Sequence, residues 1–302
     1  MPIIIPKDLP AHEKLRTENI FVMDTVRAVT QDIRAIEIAI VNLMPTKVET
    51  ETQLMRLLGN TPLQVNITLI NTATYTSKNI SAGHMQRFYR SLDEVKDKKF
   101  DGLILTGAPV ENLEFEQVAY WEELDRILDF ADKNATSSIY ICWGAQAALY
   151  KYYGIEKVPL EKKLFGVYPC HSVVRNDPLM KGLDDTFYVP HSRYTGLNEK
   201  AVYNCKGLKV LAVGEKPGLT IIKSADDKKF FFTGHAEYDR DTLKREYLRD
   251  VEKGLDIEPP ENYFIDGDID KIRMSWKSTA NLLFYNWLNY YVYQVTPFIL
   301  QD

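Results

Sequence analysis

Residues 138–146 read SIYICWGAQ, an apolar, β-favouring run that ends abruptly at Cys142. A thiol at the end of a buried strand, just before Gly144, suits a sharp strand-to-helix turn. Such a turn exposes the sulfur at the sheet edge and aims backbone N–H groups towards it. A second segment far along the chain, residues 230–238 (FFFTGHAEY), ends its own apolar run at His235. His235 and Glu237 are two residues apart, so in extended chain both side chains leave the same face. The carboxylate can then hold one ring nitrogen while the other faces the thiol, and the two segments together read as a Cys142–His235–Glu237 triad.

Outward from Cys142 the chain alternates. Residues 36–44 (IEIAIVNLM) form a continuous apolar strand run stopped by Pro45, and residues 47–58 carry apolar residues at helical spacing up to Gly59. Residues 63–70 and 100–105 read as strands, 116–134 as an amphipathic helix, and 138–142 as the next strand. This alternation predicts an α/β fold built from right-handed βαβ units, with a mostly parallel sheet flanked by helices. Ligands gather at the carboxyl ends of such strands, where residues 45–47, 106–111 and Cys142 all fall. In the second half, 186–189, 208–213, 219–223 and 229–233 read as shorter strands, the last two joined by a polar turn. Residues 239–253 and 278–294 read as helices, and 258–270 (EPPENYFIDGDID), rich in turn formers, as a mobile surface loop.

The 302 residues carry 45% hydrophobic and 12% aromatic side chains, enough for a substantial core, and a net charge of −5 with lysine and arginine dispersed. Dispersed basic charge makes nucleic acid a poor partner. No apolar run approaches the roughly 20 residues of a membrane helix, and the opening MPIIIPKDLP lacks the basic region of a secretory signal. Three cysteines, an odd number, argue against a disulfide framework and for a reducing cytoplasm. Cys170 and Cys205 show no metal-site spacing with the histidines, so neither zinc nor another metal is expected.

Each of these residues also has a plainer reading. Cys142 alone fits an inert core thiol and His235 a hydrogen-bonded structural histidine, while Glu237 could pair with Arg240. The longer runs decide between the two. Strand–C-x-G-x-Q–helix followed by G-H-x-E resembles the class I glutamine amidotransferase core, a flavodoxin-like arrangement. The whole chain resembles the homoserine O-acyltransferases of methionine biosynthesis. The residues that carry this second resemblance are 18–23 (ENIFVM), 42–65 (NLMPTKVETETQLMRLLGNTPLQV), 106–116 (TGAPVENLEFE) and 141–155 (ICWGAQAALYKYYGI). It continues through 162–167 (KKLFGV), 190–195 (PHSRYT), 233–243 (TGHAEYDRDTL) and 286–294 (NWLNYYVYQ).

The resemblance implies ping-pong acyl transfer from an acyl-coenzyme A to the γ-hydroxyl of L-homoserine, with no bound cofactor. It makes Cys142 the nucleophile that forms the thioester, His235 the general base and Glu237 its partner; the Trp143 backbone N–H is placed to serve as an oxyanion donor. It puts Lys163, Ser192 and Arg249 in the homoserine pocket, where Arg249 suits a carboxylate because a guanidinium can bond it bidentately. A contribution from the loop bearing Lys47 is also implied. Lys163 and Arg249 would otherwise pass for surface cations. The residue after TGAPV is Glu111, where the succinyl-using members typically have Gly. A carboxylate there fills the acyl pocket and opposes the distal carboxylate of succinate, so acetyl-coenzyme A is the expected donor; the plainer reading has Glu111 capping a helix. The resemblance further implies a cytoplasmic homodimer and one domain over 1–302, with an N-terminal extension (about 1–35), a core (about 36–255) and a C-terminal loop and helix (about 256–302). Succinyl transfer is the nearest rival activity, and a glutamine amidase or an inactive binding module are rivals of other classes.

Overall fold

A computed structural model of the chain describes residues 3–18, 22–23, 34–72, 81–174 and 176–296. Part of the 18–23 run, and residues 1–2 and 24–33 of the expected N-terminal extension, lie outside the described residues.

Short strands β1 (Ile3–Ile4) and β2 (Val22–Met23) flank helix α1 (Pro10–Thr17). Then follow β3 (Ile36–Val41), α2 (Lys47–Leu58), β4 (Val65–Ile70), α3 (Ala82–Phe88), β5 (Tyr89–Arg90), α4 (Leu92–Val95) and β6 (Phe100–Leu105). Helix α5 (Trp121–Asn134), β7 (Ala135–Ile141) and α6 (Trp143–Tyr153) lead to two long strands, β8 (Lys157–Ser172) and β9 (Phe187–Leu197). Helix α7 (Glu199–Asn204), β10 (Leu208–Gly214), β11 (Gly218–Ser224), β12 (Lys229–Phe232) and α8 (Thr242–Glu252) come next, and then β13 (Phe264–Ile265), β14 (Asp268–Ile272) and α9 (Lys277–Asn286).

One sheet runs β2-β1-β4-β3-β6-β7-β12-β11-β10-β8-β9, with β5 paired to β4. From β2 to β12 all pairings are parallel; from β12 to β9 they are antiparallel. Strands buried on both faces explain the continuous apolar runs of the sequence. Ile139 and Ile141 point to one face with Phe230 and Phe232, under Phe284, Trp287 and Tyr291. Tyr140 and Phe231 point to the other, under Leu124, Leu128 and Trp143. The two segments singled out first are neighbours: β12 pairs with β7 in register Phe230↔Ile139 and Phe232↔Ile141, which brings both carboxyl ends to the same edge.

Several expectations need correction. The helix expected from residue 116 begins at Trp121, after a 3-10 turn over Phe115–Gln117. The strand expected over 186–189 runs on to Leu197 as β9, and its partner β8 was not anticipated, because the charges of residues 161–163 interrupt its apolar pattern. Residues 258–270 are not simply a surface loop. Glu261 bridges to Gly166, Tyr263 is fully buried in a small third core with Trp276 and Phe165, and β13 pairs with β14. The C-terminal aromatic run divides into α9 and a π-helical segment, Trp287–Tyr293, whose Trp287 and Leu288 are core residues.

Candidate active site

Cys142 stands at the junction of β7 and α6 with φ 51 and ψ −117, a left-handed conformation that costs a non-glycine residue free energy and is typically held by its surroundings. The Cys142 N–H donates to Phe232 O at 2.7 Å, and the Cys142 carbonyl accepts from Ala145 and Gln146. Gly144 is required here: a Cβ would lie 2.5 Å from Thr106 O. Trp143 is the first residue of α6, so its N–H has no carbonyl one turn back to bond and points out of the helix start. Gly107, at the end of β6, keeps a second space open; a Cβ there would sit 3.3 Å from Cys142 Cβ and 3.5 Å from His235 Cε1.

His235 lies past the end of β12, its N–H donating to Pro190 O at 2.8 Å. Its Nδ1 lies 2.6 Å from Glu237 Oε1, and the Cys142 side chain is close enough to act on the charge of the ring. Glu237 therefore pairs with His235 and not with Arg240, which donates to Ile272 O. Burial disfavours charge on the imidazole, but the neighbouring Cys142 sulfur and Glu237 carboxylate outweigh it and raise the His235 pKa well above its usual value. With Nδ1 on the carboxylate, Nε2 is the nitrogen left to exchange a proton at the sulfur.

The triad opens into a cavity of about 760 Å³ between the loop after β3, the loop after β6, β9 and α8. Glu111, Lys163, Ser192 and Arg249 line it together with Cys142 and His235, so every side chain proposed for substrate or donor reaches one space. Lys163 is not a surface cation. It is buried, and its Nζ donates to Asp250 Oδ2 at 2.9 Å, while Arg249 donates Nε to the other oxygen at 2.8 Å. Both cations lower the Asp250 pKa against its desolvation. Arg249 itself is half exposed. Ser192 Oγ donates to Glu246 Oε2 at 2.5 Å, and the Tyr238 hydroxyl donates to Glu246 Oε1 at 2.9 Å.

Glu246 and Gly107 were missed in the sequence. Glu246 sits amid the charges of an amphipathic helix, indistinguishable there from a solvated face, and its only signal is its place three residues before Arg249, one turn away. Glu111 does not cap a helix: its Oε2 accepts from the N–H groups of Tyr194 (2.8 Å) and Thr195 (3.2 Å) on β9. Burial raises its pKa and these bonds oppose the rise. Lys47 is absent from the cavity wall; its Nζ turns back to donate to Asn42 O, and burial brings its pKa down to about 8 against the pull of Glu51.

Comparison with known proteins decides the family. The family model described as homoserine O-succinyltransferase matches residues 2–298. The chain belongs to the homoserine O-acyltransferase family. Within that family it is 54% identical to the homoserine O-acetyltransferase of Acetivibrio thermocellus over all of this chain and 99% of the relative. It is 55% identical to that of Clostridium acetobutylicum over 99% of this chain and all of the relative. Its fold is that of the glutamine amidotransferases: one from Thermotoga maritima superposes with a TM-score of 0.58 at 14% identity, over 84% of this chain and 97% of that one. The chain is thus an acyltransferase built on an amidotransferase fold.

Proposed function

We propose that the protein is a homoserine O-acetyltransferase, moving acetyl from acetyl-coenzyme A to the γ-hydroxyl of L-homoserine by way of Cys142. The observation that carries the reading is Glu111 in the wall of the same cavity as Cys142 and His235. In the first half-reaction the Cys142 thiol gives its proton to His235 and its sulfur attacks the thioester carbonyl. The coenzyme A sulfur leaves and takes the proton from His235. In the second, His235 accepts the proton of the homoserine hydroxyl, whose oxygen attacks the acetyl-thioester and releases Cys142 as the thiol. Glu237 keeps the imidazole in the tautomer both steps need. The Trp143 N–H is positioned for the oxyanion of both tetrahedral intermediates. One thioester is exchanged for another, so acylation of the enzyme meets no large uphill step.

Homoserine is a zwitterion and needs opposite charges at fixed places. The face of the Arg249 guanidinium not engaged by Asp250 suits the α-carboxylate, with Lys163 behind it. Glu246, whose hydrogen-bond donors here are the neutral hydroxyls of Ser192 and Tyr238, is suited to the α-ammonium. The reading takes residues 1–302 as one functional unit, cytoplasmic and homodimeric.

The deciding experiment is a donor competition. The pure protein with homoserine should consume acetyl-coenzyme A in preference to succinyl-coenzyme A, and Glu111→Gly should raise succinyl use. Glu111→Gln keeps the bulk and discards the charge, so it separates the two causes. A parent enzyme that prefers succinyl-coenzyme A would overturn the acetyl assignment.

A further inference from the structure

Glu111 stands on a loop after β6, and a loop carboxylate left to itself could turn aside from a longer acyl group. It is not left to itself. Its Oε2 takes the Tyr194 and Thr195 N–H groups, and the Thr195 hydroxyl lies 3.2 Å from the same oxygen. The Lys157 ammonium donates to the Glu111 main-chain carbonyl at 2.9 Å. Thr195 is in turn gripped from behind. Its hydroxyl is 2.9 Å from Gln146 Oε1, its carbonyl accepts from Gln146 Nε2 at 3.2 Å, and it accepts from Arg193 Nη1 at 2.7 Å. Gln146, Arg193 and Thr195 are all buried. Gln146 belongs to α6, the helix that Cys142 opens, so these contacts run without a break from the nucleophile's helix to the donor-pocket carboxylate.

Resting on the reading of Glu111 given above, we propose that Thr195 is a positioning residue for acyl-donor choice, holding Glu111 as a fixed wall of the acyl pocket and referencing that wall through Gln146 to the helix of Cys142. The Thr195 hydroxyl has one hydrogen, shared between two acceptors, Glu111 and Gln146. Its loss removes that shared bond, the side-chain link between the carboxylate and the buried amide, and leaves Glu111 Oε2 on the Tyr194 and Thr195 N–H groups. A wall held by two N–H groups alone swings more readily, and exclusion of the longer donor weakens without being abolished.

The test measures kcat/KM for acetyl- and succinyl-coenzyme A, with saturating homoserine, in the parent, Thr195→Val, Thr195→Ala, Thr195→Ser, Glu111→Gly and the Thr195→Val/Glu111→Gly double variant. The acetyl-to-succinyl ratio should fall about tenfold in Thr195→Val, as one hydrogen bond to a charged group allows. Thr195→Ala, which leaves only a small void, makes the same prediction should Thr195→Val fail to fold. Thr195→Ser should restore the parent ratio, and Thr195→Val should leave the ratio unchanged once Glu111 is glycine. A ratio shift of the same size in the glycine background, or no shift in either Thr195→Val or Thr195→Ala while Glu111→Gly shifts it, overturns the positioning role. If Glu111→Gly itself leaves the ratio unmoved, the reading of Glu111 has failed instead.

Discussion

The imidazole of His235 lies flat against the phenol ring of Tyr238, with centroids 4.1 Å apart and the planes 16° from parallel. Both rings are buried, and the Tyr238 hydroxyl ends on Glu246, which also takes the Ser192 hydroxyl. His235, the proposed general base, and Glu246, the carboxylate proposed for the substrate ammonium, are therefore two ends of one packed unit. The stacking fixes the plane of the imidazole and Glu237 fixes its rotation, which together aim Nε2 at Cys142.

A covalent intermediate at Cys142 is the first expectation. Intact-protein mass analysis after acetyl-coenzyme A without homoserine should show one acetyl adduct on the parent and none on Cys142→Ala, which removes a single sulfur and should stay folded. An adduct persisting on the variant would place the nucleophile elsewhere.

His235 and Glu237 should be unequal. His235→Ala removes the base and should lower kcat by about a hundredfold or more. Glu237→Gln leaves a base in a poorer orientation and should cost less. Parent-like rates for His235→Ala across neutral pH would rule out its role.

Acetylation should lower the His235 pKa. In the free enzyme burial pushes it down, while the Cys142 sulfur and Glu237 together push it higher still. Once the sulfur is bound as a neutral thioester, its contribution is lost and burial opposes Glu237 alone. The neutral base needed for transfer is then available at lower pH than in the free enzyme. Single-turnover transfer from isolated acetyl-enzyme to homoserine should therefore rise with pH through a lower midpoint than the histidine titration of the free enzyme. Coincident midpoints would contradict the electrostatic account.

Arg249→Lys keeps the charge and loses the planar fork, so kcat/KM for homoserine should fall by about tenfold to a hundredfold with enzyme acetylation nearly unchanged. If acetylation suffers equally, Arg249 serves the coenzyme or the fold.

Lys47 should leave a signature in stability. Its pKa is about 8 in the folded chain, below the ordinary 10.5 of the unfolded one. Between these values the unfolded chain holds one more proton, so the contribution of Lys47 to stability rises as pH climbs from about 8 to 10.5. Below pH 8 both states are protonated and the full cost of burying the charge is present. The unfolding free energy of the parent minus that of Lys47→Gln should increase over this interval. A flat difference would show that Lys47 is not desolvated in solution.

Much of this protein was legible before any coordinates. The residues at 36–41, 100–105 and 138–141 alternate with helical stretches because strands buried on both faces must be apolar throughout, and that local requirement is written residue by residue. The spacing of His235 and Glu237 and the glycine two residues after Cys142 are likewise local, since pleat and turn act over a few residues. Other features depend on contacts between distant segments. Lys163 reads as a surface cation until Asp250, 87 residues away, closes on it in the buried pair. Glu246 reads as one charge among many until Ser192 and Tyr238 converge on it. Glu111 is a loop acid in the sequence; only the docking of β9 against that loop turns it into a braced wall. Periodicity reports what a residue's own strand or helix must bury. Charge partners and pocket walls come from the long-range meeting of segments, which the tertiary structure alone decides.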